Sequence, residues 1–406
     1  MTSDIDPFLQ EFPESSRQIL KAGWDSLPPL RRQELLDLIP AVPGTPGQIQ
    51  KIFALSHQQI QMAFGGKQDV VIVGPANVGK STLYNRLIAS RADEAAVSPV
   101  PGTTRQNQAG DAGPFTIVDT PGADAVGEVG QRERDLALAA AAGADLLIIL
   151  FDAVQGVKQT EQELFRALQA LHRPYVVVLN KIDLVGREAE PVVAQVAANL
   201  GLPPEQVIPI SATRGQNLAA VVMAVVKAEP ALLAALGQGL PAYRTQLAWR
   251  AATGAATTAA LIGLTPLPFV DFVPLVAVQI SMILGIGRIF NYRITPGRWR
   301  ELLGVFGLGL LGRTLFYELI KLGGPPAWVV SAAVAAGTTV TMGYAAILWF
   351  SRGERLTRAT AQRISRTLSS ALVDSIKSLG RRRPSREELL ARIEEVVGEA
   401  GEEVRG

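Results

Sequence analysis

The chain contains no cysteine and only two histidines among its 406 residues. Disulfides and thiol chemistry are therefore excluded, a zinc site is not expected, and the composition fits a reducing cytosol. Neither sign of charge is in excess, because 39 Lys and Arg stand against 37 Asp and Glu. The N-terminal stretch MTSDIDPFLQEFPESS is acidic and lacks the apolar core of a signal peptide.

A glycine-rich loop follows the first run of β-forming residues. GPANVGKST, residues 74–82, follows DVVIV and fits the pattern G-x-x-x-x-G-K-[ST]. Glycines let successive backbone N–H groups point at phosphate oxygens, Lys80 would reach the β- and γ-phosphates, and the Ser81 hydroxyl would bind Mg²⁺. The helix that begins near Gly79 adds the positive end of its dipole. The alternative is a chance glycine-rich turn, and the loop alone fits ATP or GTP.

Two later strand ends decide which base is bound. PYVVVLNKIDL ends a strand in Asn180, Lys181 and, two residues on, Asp183. A carboxylate at this last position accepts two hydrogen bonds from the guanine N1–H and N2 amino groups, whereas adenine would leave it desolvated and unpaired. VIPISAT places Ser211 and Ala212 after a further strand, close to the expected position of the base. The nucleotide is therefore predicted to be GTP or GDP.

The phosphate end of the site has a second metal-binding candidate. FTIVDTPG ends an apolar strand in Asp119, whose carboxylate can hold Mg²⁺ through water, and continues to Gly122, whose N–H can reach the γ-phosphate. Four motifs in this order, each at the end of a strand, make a chance occurrence very improbable.

These motifs resemble those of the translation-factor-related GTPases, and within them the Era, EngA and MnmE group, over about residues 66–236. The resemblance implies Mg²⁺-dependent hydrolysis of GTP to GDP by a molecular switch. The family's first switch supplies a threonine that binds Mg²⁺, and PGTTR offers Thr104, with Thr103 as the fallback. Ala123 stands where Ras-like enzymes carry the water-orienting glutamine, which implies slow intrinsic turnover and a catalytic group obtained elsewhere.

Potassium is one candidate for that group. Asn77 matches the asparagine with which potassium-activated GTPases of the Era, EngA and MnmE group hold K⁺. However, only 13 residues separate Arg105 from Asp119, so the loop that would complete a potassium site is shortened. The alternative for Asn77 is a local bond between its side chain and the backbone.

The predicted site is summarised by role. The catalytic residues are Lys80, Thr104 and Gly122. The metal ligands are Ser81, Thr104 and, through water, Asp119. The nucleotide-binding residues are Asn77, Val78, Gly79, Lys80, Ser81, Thr82, Asn180, Lys181, Asp183, Ser211 and Ala212.

The predicted fold is α/β followed by an all-α, partly apolar domain. Strands and helical stretches alternate in residues 66–236, and nearly continuous apolar strands predict a doubly wound parallel sheet with ligands at its carboxyl edge. Residues 1–65 form a predicted N-terminal helical extension. The apolar helical domain spans 240–351, and a basic amphipathic helix with a C-terminal helix occupies 352–406.

Long uncharged runs are concentrated in the second half. Residues 251–270, 272–287 and 322–351 contain no charge, and the last run is long enough to cross a bilayer, with Trp328 and Trp349 near its ends. From residue 352 to 383, nine Lys and Arg stand against two acids, which favours a cytoplasmic position and binding of anionic lipid. Two, four or no crossings keep both ends in the cytoplasm. The alternative is a soluble bundle with buried Ala- and Gly-rich helices.

The segment TPLPFVDFVP predicts a turn between two apolar helices, because Pro266, Pro268 and Pro274 should stop helices on either side. Asp271 caps the second helix or, as a buried carboxylate in apolar surroundings, has a functional role. This region resembles the DUF697 helical domain found behind GTPase domains in the YcjF-like family, over about residues 245–350. That resemblance implies association with a membrane rather than any chemistry.

Two amphipathic helices are predicted near the C-terminus. The first has an apolar face and a basic opposite side, and it either lies on a membrane or packs on the bundle. Its apolar residues are Leu356, Ile364, Leu368, Leu372 and Ile376. The second begins with a capping box, Ser385 and Glu388, and its apolar stripe should dock onto the protein or a partner.

The sequence therefore predicts a GTPase at the cytoplasmic face of a membrane, with lipid and guanine nucleotide as partners and G-domain homodimerisation as a further possibility. One alternative is a soluble Era-like GTPase of ribosome or RNA assembly, but no G-x-x-G RNA-clamping segment follows the GTPase motifs, so nucleic acid is the weaker choice. The other is a self-assembling, membrane-remodelling GTPase, for which the helical part is short.

Overall fold

The computed structural model describes residues 69–88, 115–119, 128–264, 272–292, 326–379 and 384–405. These residues fall into two compact units, which divide between Leu247 and Ala248. The predicted N-terminal extension, residues 1–65, lies outside the described residues.

The first unit is built on a parallel five-stranded sheet. Its strands are β1 (Val70–Gly74), β2 (Phe115–Asp119), β3 (Leu146–Asp152), β4 (Tyr175–Asn180) and β5 (Val207–Pro209). They lie in the order β2-β1-β3-β4-β5, and every pair is parallel. Each strand coincides with a predicted apolar run, which confirms the α/β prediction.

The register of the sheet brings the strand ends together. Gly74 pairs with Asp119 and Asp152 pairs with Asn180, so the ends of four strands lie along one edge. All seven residues of β3 are buried, as expected for a central strand covered on both faces.

Helices connect the strands, because parallel neighbours require a crossover. They are α1 (Lys80–Ile88), α2 (Glu128–Gly143), α3 (Gln159–Gln169), α4 (Ile182–Val185), α5 (Ala189–Leu200), α6 (Leu218–Ala228) and α7 (Leu233–Gly239). The core between these helices and the sheet is mainly aliphatic. It also contains Phe151 and Phe165, whose rings are in edge-to-face contact with 6.3 Å between their centroids.

The second unit is helical throughout its described part. Its helices are α8 (Arg244–Gly263, which begins in the first unit), α9 (Phe272–Ile289), α10 (Ala327–Arg352), α11 (Arg358–Ser378) and α12 (Arg386–Arg405). Its core is formed by apolar residues of α8, α10, α11 and α12.

Threonine is common in these apolar helices because its hydroxyl finds a partner in its own helix. Thr257 donates to Thr253 O at 2.8 Å, and Thr339 donates to Ala335 O at 2.7 Å. Burial therefore leaves neither hydroxyl without a hydrogen bond. Gln279 of α9 also donates to the Thr339 hydroxyl, at 3.1 Å.

The two C-terminal helices pack on the bundle. Ile364, Leu368, Leu372 and Ile376 of α11 are buried in the core of the second unit, which decides between the two predicted positions of this face. The predicted capping box of α12 is present: Ser385 N donates to Glu388 Oε2 at 2.8 Å, and Glu388 N donates to Ser385 Oγ at 3.2 Å. The stripe of α12 docks onto the same core.

One described helix is long and apolar enough to cross a membrane. It spans Trp328–Arg352, with a mean hydropathy of 1.4 in its best window, and 89% of that window is buried inside the protein. Trp349 is 6% exposed, and the Arg355 guanidinium lies over its ring, 5.4 Å from the ring centroid.

The predicted role of Pro274 is corrected. It lies within the first turn of α9, not before the helix. A proline is tolerated there because the first N–H groups of a helix have no intrahelical partner. Pro266, Pro268 and Asp271 lie outside the described residues.

Candidate nucleotide-binding site

The loop between β1 and α1 alternates its backbone conformation. Asn77 and Gly79 have φ angles of 63° and 96°, whereas Ala76 and Val78 lie outside the positive-φ region. Such alternation turns successive N–H groups into one concavity, the arrangement that binds anions. A Cβ at Gly79 would lie 2.4 Å from Asn180 Nδ2, so glycine is needed both for the φ angle and for this close approach.

Lys80 places a buried positive charge at this loop. It is the first residue of α1 and is 3% exposed, and its Nζ donates to Gly74 O and Pro75 O, both at 2.6 Å. The ammonium group is therefore held at the N-terminus of a helix, where the helix dipole also favours an anion. Ser81 and Thr82, the next two residues, are exposed.

Asn180, at the end of β4, connects this loop to the one after β5. Its Nδ2 donates to Val78 O at 2.8 Å, and its Oδ1 accepts from Ala212 N at 2.9 Å. The side chain is 3% exposed. These two bonds use both the NH₂ donor and the carbonyl acceptor of the amide. A carboxylate could not donate the first bond, and a hydroxyl could not span both partners in this way.

Lys181 makes a second connection to the loop between β1 and α1, residues 75–79, which is the phosphate loop. Its backbone is left-handed, with φ of 65°, and its Nζ donates to Asn77 O at 2.7 Å. The same ammonium group forms an ion pair with Asp152 Oδ2 at 2.6 Å. Asp152 is the last residue of β3 and is 3% exposed, and its other oxygen accepts from Val154 N at 2.8 Å.

Asp183 lies in the short α4 and faces the loop after β5. Its Oδ2 lies 3.3 Å from the Nε of Arg214, and its side chain is 11% exposed. The loop itself is fixed by Ser211, which is fully buried and whose Oγ accepts from Arg214 N at 3.2 Å. Arg86 of α1 donates to Thr213 O at 2.8 Å. Helix α1 therefore also holds the loop after β5, residues 210–217, which is the base loop.

The predicted site residues are thus largely brought together at the carboxyl edge of the sheet. Contacts link Asn180 to Val78 and Ala212, and Lys181 to Asn77. For Asp119 the structure describes the backbone only, at the end of β2 beside Gly74. Thr104, its fallback Thr103, Gly122 and Ala123 lie outside the described residues. The roles assigned to these positions remain predictions.

Three residues of the site were not predicted. Asp152 could have been predicted from the sequence, because it ends an otherwise apolar strand. The carboxyl ends of parallel strands form the edge at which such sheets bind ligands. Arg214 follows the predicted Ser211-Ala212 pair closely, but nothing in a run of loop residues shows which partner it reaches. Arg86 looked like an ordinary exposed helix residue, and its contact is 127 positions away.

The fold and the loop define a P-loop nucleotide-binding domain followed by a helical unit. Two protein families match these parts. Residues 69–181 match the 50S ribosome-binding GTPase family, MMR_HSR1, and residues 240–376 match DUF697, a domain of unknown function.

Relatives with established names match the first part. GTPase Der of Trichlorobacter lovleyi is 36% identical over 40% of this chain and 37% of its own length. GTPase Era of Aquifex aeolicus is 31% identical over 40% of this chain and 56% of its own length. The tRNA modification GTPase MnmE of a Synechococcus species is 36% identical over 53% of this chain and 45% of its own length.

These matches identify a GTPase domain of the Era, Der and MnmE type, followed by a DUF697 domain. The chain spans between 37% and 56% of the length of the three named relatives.

Proposed function

We propose that the first unit binds GTP and GDP and hydrolyses GTP to GDP and phosphate. The observation that carries this proposal is the set of contacts made by Asn180 and Lys181, which hold the phosphate loop and the base loop around Asp183. The Asp183 carboxylate would accept two hydrogen bonds from guanine. Adenine lacks these donors, so neither of the two bonds to the carboxylate would form, and only the ion pair with Arg214 would remain.

Mg²⁺ fits the oxygen atoms that the sequence assigns to the part of the site near the phosphates. Mg²⁺ prefers oxygen ligands, and Ser81, which carries a hydroxyl, is an exposed residue of α1 directly after Lys80. Thr104, and Asp119 through water, would complete the protein ligands. When bound, the ion neutralises charge that develops on the phosphates. Lys80 would bind the phosphate oxygens, and the Gly122 N–H is assigned to the γ-phosphate from its place in the sequence motif.

Turnover is proposed to be slow and to depend on a further group. Ala123 cannot orient water as a glutamine does, so a second G domain, another partner or K⁺ must raise the rate. Asn77 is exposed in the left-handed conformation at the rim of the loop, where an ion could reach its side chain. Equal turnover in KCl and NaCl would remove the potassium proposal.

The second unit is proposed to hold the GTPase at the cytoplasmic face of a membrane. The apolar span Trp328–Arg352 supports this, and so do the exposed basic side chains of α11, which are Arg363, Arg366 and Lys377. The competing candidate is a soluble bundle with α10 as its core helix, which is favoured by the 89% burial of the apolar window.

Two measurements test these proposals. Purified full-length chain should release phosphate from GTP in Mg²⁺ but not in EDTA, and Lys80→Ala should abolish this release while leaving the protein folded. Binding of ATP as tightly as GTP would refute the assignment of the nucleotide. Sedimentation of full-length chain with membranes after carbonate washing, compared with a chain ending at Leu247, tests membrane insertion; complete release of both supports the soluble bundle.

A further inference from the structure

We propose that Asp152 is a positioning residue of the nucleotide site, acting through Lys181 on the phosphate loop. The proposal rests on the proposed nucleotide binding and assigns a role to a strand-end carboxylate outside the phosphate and base loops. Asp152 ends the central strand β3, whereas Lys181 follows the neighbouring strand β4. Their pairing therefore joins two strands at the edge where the nucleotide binds.

The geometry fixes the Lys181 ammonium group between two partners. Asp152 Oδ2 lies 2.6 Å from Nζ, and Asn77 O accepts from the same Nζ at 2.7 Å. A lysine side chain is long and mobile, so one hydrogen bond to a carbonyl would not hold it. A carboxylate that is 3% exposed supplies a fixed, charge-assisted second bond.

The consequence falls on Asn77. This residue has φ of 63°, a left-handed conformation that asparagine tolerates better than most residues but less well than glycine. The bond from Lys181 to its carbonyl helps to hold that conformation and, with it, the alternation that turns the loop's N–H groups inward. Loss of the Asp152 charge should therefore weaken the binding of the phosphates, although Asp152 does not touch them.

A simpler role for Asp152 is to cap the turn after β3. Its Oδ1 accepts from Val154 N at 2.8 Å, and Gly156 N donates to its backbone carbonyl at 3.1 Å. Asp152→Asn separates the two roles. Asparagine keeps the volume and can keep the Oδ1 bond, but its Nδ2 is then a donor facing the Lys181 ammonium group, which is also only a donor.

The test is a double-mutant cycle on GDP affinity with full-length protein. Asp152→Asn should weaken GDP binding by roughly tenfold, within the range of coupling between residues in contact. In a Lys181→Met background the same change should cause no further loss, because Asp152 acts only through Lys181. Unchanged affinity in Asp152→Asn, or equal losses in both backgrounds, would overturn the proposal.

Two controls keep the result interpretable. Glu161→Gln removes another buried carboxylate of the same unit, whose hydrogen bond is to Lys158 N, and should leave GDP affinity unchanged. If Asp152→Asn does not fold, the double variant, which leaves neither charge unpaired, is compared with Lys181→Met alone; a further loss of affinity in the double variant refutes the proposal. Failure of the unchanged chain to bind GDP would instead refute the proposed function.

Discussion

Replacing Gly79 by alanine should weaken nucleotide binding and destabilise the first unit. At φ of 96° an alanine is strained by about 1–2 kcal/mol. The added Cβ would also lie 2.4 Å from Asn180 Nδ2, so Asn180 would have to leave its partners Val78 O and Ala212 N. Each buried partner left without a hydrogen bond costs about 1–3 kcal/mol, which brings the expected destabilisation to roughly 3–8 kcal/mol.

Gly201→Ala is the matched control. Gly201 has φ of 70°, but nothing lies within 4 Å of the position of its added Cβ. This variant should therefore lose only the conformational term of about 1–2 kcal/mol. Gly201 is the C-cap of α5, outside the loops that follow β1 and β5, so the affinity of this variant for GDP should be unchanged.

Thermal unfolding with and without GDP measures both effects. The transition that GDP raises belongs to the first unit, since a ligand stabilises the state that binds it. One kcal/mol corresponds to about 2–4 °C for a unit of this size. Gly79→Ala should lower this transition at least about twice as far as Gly201→Ala and weaken GDP binding by tenfold or more. Equal shifts in the two variants, or unchanged GDP affinity in Gly79→Ala, would refute the reasoning.

Three further predictions follow from the described contacts. Asp183→Asn should weaken GDP binding by roughly 10²–10⁴-fold and favour xanthosine diphosphate, whose C2 oxygen accepts from the new amide; nucleotide competition measures this. Burial raises the pKa of the Glu161 carboxyl, so stability falls as pH rises from 4.5 through that raised pKa, and Glu161→Gln should flatten this fall in Tm. Gly337→Ala should lower the Tm of the second unit, because its Cβ would lie 2.4 Å from Ser369 Oγ, whereas Gly254→Ala, with open space around its Cβ, should raise it.

The strands of the first unit could be predicted because their sequence leaves little choice. Leu146–Asp152 is apolar until its last residue, and a short, continuous apolar run of this kind is typical of a parallel strand covered on both faces. The motif residues could be predicted for a related reason. Parallel strands place their carboxyl ends at one edge, so the loop after β1 and the end of β4 meet there; Val78 and Asn180 are in contact although they are 102 positions apart.

The contacts that complete the site could not be predicted in this way. The ion pair of Asp152 with Lys181 depends on the register between β3 and β4, and a shift by one residue would turn the two side chains to opposite faces. The bond from Arg86 to Thr213 O depends on the path of a loop, for which no periodic pattern exists. Contacts of this kind follow from tertiary packing, which local sequence does not specify.

The surroundings of helix α10 could not be predicted from its sequence either. Its length and hydropathy are equally suited to lipid and to a protein interior, because both are apolar. The described contacts show what its small residues do: Gly337 lets α10 approach Ser369 of α11, and Gly263 lets α8 approach the Ser331 carbonyl. Close approach at small residues is how helices pack in either environment. The small residues that favoured a membrane span in the sequence therefore also account for the close packing of α8, α10 and α11 in this bundle.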